Sequence, residues 1–309
     1  MTDFKNDLFD FEIAHLKWLS YEWSTKPTAF ILLSDFKNAP KEVIKTELAP
    51  GINVSFMILN DKYCIGYPDT DDNLIPCETT TRVTLGNQCR ECIDKDILSK
   101  CTYCTGDCVN SGALEYCKTT PHLVYLAAFT KDFIKVGTTS EKRAETRLLE
   151  QGANYARIIA RTPSQGLAKQ IEEYIKTTFS VLDKRNKRIK EESLGLGFQT
   201  SDFTSMLDEK ITEIKKKSSK FSEFFIKDIQ EFDFYSRYAT LLMADGATRI
   251  SFQRAEKSKE LKVEGRLVCP KGDFLVLNNN GIISAVNLSS KVGNLLSNGA
   301  TKSKQLNLL

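Results

Sequence analysis

The sequence predicts an α+β protein: a central domain of hairpin, helix, strand and helix, preceded by a two-zinc region and flanked by small β-rich segments. Three observations predict it. Eight of the nine cysteines lie between Cys64 and Cys117. Short apolar runs bounded by turn residues fill the two ends of the chain. Between them, from His122 to Ser180, strand-like runs alternate with segments of helical spacing.

In chain order, residues 1–60 read as β-rich. Phe30-Ile31-Leu32-Leu33 and the run from Val54 to Leu59 lie between turn signals such as Asn38-Ala39-Pro40 and Pro50-Gly51. Residues 61–121 carry few large apolar side chains and most of the cysteines, so a core there requires metal. In residues 122–192, HLVYLAAF (122–129) and FIKVGTT (133–139) form a hairpin, and Glu141 to Glu150 is a helix closed at Gly152. ARIIART (156–162) is a third strand. Leu167, Ile171, Tyr174 and Thr178 recur at helical spacing. Residues 193–231 read as a helical linker region, with Phe203, Met206, Leu207, Ile211 and Ile214 on one face and Lys215-Lys216-Lys217 at the end that suits the helix dipole. Residues 232–309 contain regular short strands, as in a C-terminal β barrel or sheet. Whether the two β-rich ends form one unit stays open at this level.

The cysteines fall into two sets. Cys64, Cys77, Cys89 and Cys92 follow the pattern C-x12-C-x11-C-x2-C, and Cys101, Cys104, Cys108 and Cys117 follow C-x2-C-x3-C-x8-C. Zinc takes four soft ligands in a tetrahedron, and a Cys-x2-Cys turn aims two thiolates at one ion. Each set therefore makes one structural, closed zinc site, with His122 as an alternative to Cys117 in the second. No thioredoxin-like βαβ pattern surrounds either Cys-x2-Cys, which argues against redox chemistry. Cys269, before Pro270, reads as a core thiol.

The formal net charge is +3. Eight thiolates and two zinc ions take it to −1, so global charge points to no partner. Its distribution does: Lys131 to Lys190 holds fourteen Lys/Arg against seven Asp/Glu, whereas Met1 to Asn60 holds six against eight. A basic middle predicts one local anionic surface partner, nucleic acid being the expected class. The first 23 residues, with Asp3, Asp7, Asp10 and Glu12, lack the order of a signal peptide. No apolar run approaches the roughly 18 residues of a membrane span. The expected location is cytoplasmic, with no membrane partner.

The central order of elements resembles the GIY-YIG nuclease superfamily. Val124-Tyr125-Leu126 stands at the first motif and Lys135-Val136-Gly137 at the second. The run from Cys64-Ile-Gly-Tyr through the cysteine pairs, His122-Leu-Val-Tyr, Lys135-Val-Gly-Thr-Thr, Arg147-Leu-Leu-Glu-Gln-Gly-Ala and Lys271-Gly is similar to an uncharacterised prokaryotic family. That family joins two zinc sites to a GIY-YIG-like domain and a terminal β segment. The resemblance implies a divalent-metal-dependent phosphodiesterase. Tyr125 would help to deprotonate a water, and Arg147, with Arg143 one turn earlier, would bind the phosphate. Glu172 would hold Mg²⁺ or Mn²⁺. Lys135 departs from the family's tyrosine, and would act on the pKa of its neighbour. The second implied reading is a non-catalytic RNA- or DNA-binding protein on the same fold. Taken singly, Tyr125 reads as core, Arg147 as cover for apolar surface and Glu172 as a solvated helix residue.

Overall fold

A computed structural model of the protein describes residues 8–23, 27–70, 73–97, 99, 111–182, 186–253 and 260–298. Four strands come first: β1 (Ile13–Trp23), β2 (Pro27–Asp35), β3 (Ala39–Leu48) and β4 (Asn53–Lys62). A small ribbon of β5 (Tyr67–Pro68) and β6 (Leu74–Ile75) follows, then α1 (Arg90–Lys95) and α2 (Ser111–Thr119). The central part runs β7 (His122–Thr130), β8 (Phe133–Ser140), α3 (Ala144–Glu150), β9 (Tyr155–Thr162), α4 (Gln165–Phe179), α5 (Lys187–Glu192) and α6 (Thr200–Lys217). Next come β10 (Glu231–Asp233) and α7 (Tyr235–Ala244). The last strands are β11 (Ser251–Phe252), β12 (Leu261–Lys271), β13 (Phe274–Asn279), β14 (Ile282–Asn287) and β15 (Asn294–Asn298).

The two β-rich ends are one sheet. Its nine strands lie in the order β11-β14-β13-β12-β4-β15-β1-β2-β3. β4 takes β12 on one side, with Val263 opposite Phe56, and β15 on the other, with Leu296 opposite Ile58. This pairing answers the question that the sequence leaves open about the two β-rich ends. Among the described residues the sheet is open at β3 and β11, so it is not a closed barrel.

A second sheet, β10-β9-β7-β8, forms the centre, with β7 antiparallel to both neighbours. Residues 193–231 contribute to this part of the fold: α6 packs on the sheet and β10, beginning at Glu231, completes it. Phe203, Leu207, Ile211 and Ile214 of α6 are buried with Ile171 and Ile175 of α4. Burial of each such side chain contributes about 1.5–3 kcal/mol. A capping box starts α6, Gln199 and Asp202 each accepting the other's backbone N–H.

β7 is buried along its whole length, so both of its faces meet a core. Val124, Leu126 and Ala128 point to the core under α4 and α6. Leu123, Tyr125, Ala127 and Phe129 point the other way, into a core shared with Leu148 and Leu149 of α3 and with Leu16, Phe56, Val263 and Leu277 of the nine-stranded sheet.

α3 ends in a Schellman motif: Gly152 N–H donates to Leu149 O (2.8 Å) and Ala153 N–H to Leu148 O (3.2 Å), with Gly152 at φ +65°. That glycine also faces the β12–β13 turn, where a Cβ added to Gly272 would lie 2.8 Å from Gly152 Cα. Beneath this contact Lys271 is buried at 2% exposure. Its ammonium donates to Asn154 Oδ1 and to Ser193 O (2.6 Å) and lies 5.0 Å from the centre of the Tyr238 ring. No helix among the described residues is long and apolar enough to cross a membrane.

Candidate functional site

The first cysteine set comes together as its spacing predicts. The thiol sulfurs of Cys64, Cys77, Cys89 and Cys92 lie within 4.8 Å of one another, and Cys77 Sγ is 3.9 Å from Cys89 Sγ. A tetrahedron with metal–sulfur bonds of about 2.3 Å has edges of about 3.8 Å, so the site is able to hold one ion such as zinc. Cys64 follows β4, and the β5–β6 ribbon returns the chain to Cys77. Gly66 is required in this turn: its φ is +96°, and a Cβ would lie 1.9 Å from Ile75 O. Cys89 is the N-cap of α1 and Cys92 lies in its first turn. The Cys89 N–H (3.1 Å) and Gly66 N–H (3.5 Å) both point at Cys64 Sγ. Gln88 clamps the two halves, its side-chain amide donating to Gly66 O (3.0 Å) and Asp96 Oδ2 (2.9 Å).

The electrostatics call for a cation. Burial pushes the Cys64 thiol up to about 11, against the Cys89 and Gly66 N–H groups that favour its thiolate. Burial, reinforced by the neighbouring thiols, drives Cys92 upward as well. Cys77 is the exception. Burial opposes its ionisation too, but the Thr79 hydroxyl and the backbone N–H groups of Thr81 and Thr79 bring it down to about 6. The protein alone thus supports one thiolate strongly, while a dication would draw out all four.

Of the second set, Cys101, Cys104 and Cys108 lie outside the described residues, and Cys117 is buried on α2 at 7% exposure. His122 begins β7. Its Nδ1 lies 2.8 Å from the Thr120 carbonyl, a partner that places the proton on Nδ1.

Four of the five residues implied by the nuclease resemblance are gathered on one face of the central sheet. The Tyr125 ring crosses directly over Gly137, its cross-strand partner. Its hydroxyl accepts from Gln151 Nε2 (2.8 Å) and from Arg147. Gln151 Oε1 in turn accepts from Lys135 Nζ (3.1 Å). Arg143 and Arg147 share Glu150, at 2.9 and 3.4 Å. Tyr125 is sealed at 1% exposure, whereas the Arg143 and Arg147 side chains are 33% and 44% exposed. Gln151 and Glu150 were not picked out from the sequence; the only signal was their place at the C-terminal end of the helix that Arg143 caps and Arg147 lies on.

Glu172 is not among them. It lies on α4, behind the sheet, with Thr138 Oγ1 donating to it (3.4 Å) and Lys169 paired to it at 2.7 Å. Thr138 stands opposite Val124, on the face away from Tyr125. The alternation of β7 and β8 thus puts Tyr125 and Arg147 on one face and Glu172 on the other. On the Tyr125 face, a cleft of about 470 Å³ opens between α3 and residues 226–232, lined by Leu123, Lys142, Glu145, Ile158, Arg161 and Phe232 among others. Burial raises the Glu145 carboxyl, with Arg237 opposing the shift.

A family model described as "Protein of unknown function (DUF2797)" matches residues 51–293, and the chain belongs to that family. No curated protein and no solved structure matches the chain.

Proposed function

We propose that this chain is a zinc-stabilised nucleic-acid-binding protein that holds phosphates without hydrolysing them. The observation that carries the reading is the separation of the arginine cluster from Glu172. Phosphodiester hydrolysis of the GIY-YIG type needs a base, a phosphate-holding cation and a metal-bearing carboxylate around one phosphate. Here the tyrosine hydroxyl is enclosed and already accepts two hydrogen bonds. The carboxylate expected to hold Mg²⁺ or Mn²⁺ is on the opposite face and neutralised by Lys169.

What remains suits recognition. Lys135, Arg143 and Arg147 lie around Gln151 and Glu150, with the two guanidiniums reaching solvent. Two guanidiniums a helical turn apart are spaced to grip phosphate oxygens. The cleft at the start of α3 offers apolar side chains and Phe232 for stacking an unpaired base, with Lys142 and Arg161 set among Glu141, Glu145 and Asp228. A metal held by the four cysteines would fasten the segment from Cys77 to Cys92 to Cys64, just past the end of β4 in the nine-stranded sheet.

End-labelled RNA and DNA, incubated with the purified chain and Mg²⁺ or Mn²⁺, should be retarded on a gel and remain uncut. Scission by the wild type that disappears in Glu172→Gln would establish the phosphodiesterase instead. Failure to retard any of single-stranded RNA, tRNA or duplex DNA at low salt would remove both readings.

A further inference from the structure

We propose that Lys17 is the counter-ion of the four-cysteine metal centre, an ammonium delivered from the nine-stranded sheet to offset the charge of the metal–thiolate cluster. The proposal rests on the reading of Cys64, Cys77, Cys89 and Cys92 as a metal site.

Lys17 sits in the middle of β1, where the pairing with β2 slips between Leu16 and Trp18. A bulge of this kind turns one side chain out of the regular alternation. Its neighbours on either side of the slip keep their cross-strand partners, Leu33 and Leu32. The lysine itself is 1% exposed, among the largest fully buried side chains of the protein. Lysine is almost never enclosed unless a compensating charge meets it.

The backbone leads from this bulge to the metal site in two steps. Leu16 O accepts from Gly293 N–H (2.7 Å), and Gly293 O accepts from Tyr63 N–H (2.8 Å), one residue before Cys64. His15, buried next to the bulge, meets Tyr63 O through Nε2 at 3.3 Å. Burial, with Lys17 adding to the effect, lowers His15 to about 3, so the imidazole is neutral and contributes no charge. Burial also disfavours the Lys17 ammonium, and the groups that favour it are Cys64, Cys77 and Cys92. Three of the four candidate ligands, once ionised on a metal, would thus favour the charge of this one side chain.

The charge balance gives the ammonium its purpose. A dication with four thiolates carries −2, and enclosing that charge is costly unless a cation accompanies it. Lys17 reduces the cluster to −1. By drawing electron density from the sulfurs it also makes the bound thiolates poorer bases and poorer nucleophiles, as a closed structural site requires. Lys17 lies before residue 51, outside the part of the chain matched by the family model. The segment preceding the match therefore completes the metal centre's charge, as a positioning residue and not as a ligand.

The test begins with the zinc content of the intact wild-type chain. It then compares wild type, Lys17→Met and Lys17→Arg for transfer of zinc to a chromogenic chelator and for alkylation of the loaded protein by iodoacetamide. Lys17→Met should speed both by roughly tenfold or more, the effect of losing one opposite charge near a titrating group. Lys17→Arg should stay within about threefold of wild type, because it keeps the charge. If Lys17→Met does not fold, Lys17→Gln carries the comparison as a polar side chain without charge. A zinc-free wild type would overturn the metal site and the proposal together. A zinc-loaded wild type with unchanged rates in Lys17→Met, or equal acceleration in Met, Gln and Arg variants, would overturn the role of Lys17 alone.

Discussion

Gly137→Ala tests how tightly the Tyr125 cluster is built. A Cβ on Gly137 would lie 2.4 Å from the Tyr125 hydroxyl oxygen, 2.5 Å from Cζ and 3.0 Å from Cε2. Comfortable contact needs about 3.5 Å or more, so the ring would have to retreat by about 1 Å. It has little room, being 1% exposed and packed in the shared core. A retreat of that size also stretches the 2.8 Å bond from Gln151 beyond hydrogen-bonding reach. Overpacking costs about 1–3 kcal/mol, and the lost hydrogen bond about 1 kcal/mol more. The total of about 2–4 kcal/mol corresponds to a fall in Tm of roughly 4–12 °C for a chain of this size. The assay is thermal or urea unfolding of wild type, Gly137→Ala, Tyr125→Leu and the double variant. Because the three atoms nearest that methyl all belong to the phenol, the double variant should be more stable than the sum of the single changes predicts, by about 1–3 kcal/mol. Additivity to within about 0.5 kcal/mol would refute the placement of the ring over the glycine.

Tyr125→Phe removes the acceptor shared by Gln151 and Arg147, and should cost about 1–3 kcal/mol in urea unfolding while leaving nucleic-acid affinity unchanged. Lys271→Met leaves Asn154 Oδ1 and Ser193 O without their buried donor and should destabilise the chain by about 2–4 kcal/mol, read by the same unfolding curves. Gly66→Ala should abolish stable zinc retention in elemental analysis, since Ile75 O occupies the space a Cβ needs. Zinc affinity should fall as pH falls. Cys64 and Cys92 are both raised, hence protonated at neutral pH without metal, and must each lose a proton on binding. Those two protons alone weaken binding by about a hundredfold per pH unit, which competition titrations at two pH values measure.

Local features were the legible ones. The Cys-x2-Cys turn, the helical spacing of Leu167, Ile171 and Tyr174 in α4, and the glycine after α3 each announce themselves within a few residues. The nine-stranded sheet does not, because its pairings join residues far apart, as when Asn294 Nδ2 donates to Leu59 O (2.6 Å). Nothing in a strand such as Asn53–Lys62 encodes whether β12 and β15 will lie beside it. The site was half legible for a related reason. His122–Thr130 is apolar or small on both faces, so no alternation told which face Tyr125 would take. That choice places the tyrosine with Arg143, Arg147 and Lys135, and puts Glu172 behind the sheet. Lys17 was invisible as well, since a lysine in a strand reads as solvent-facing until a bulge turns it inward.

The most direct measurement of the central claim is the salt dependence of nucleic-acid binding, followed by fluorescence anisotropy with a short labelled single strand. Phosphate contacts release counterions, so log K should fall linearly with log salt concentration. Replacing both Arg143 and Arg147 by alanine should weaken binding and flatten that slope by roughly 1–2 units, because two phosphate-holding cations are gone. Lys169→Ala, on the opposite face, should leave the slope unchanged. A double variant that binds with wild-type affinity and slope would contradict the assignment of this edge as the phosphate-holding surface.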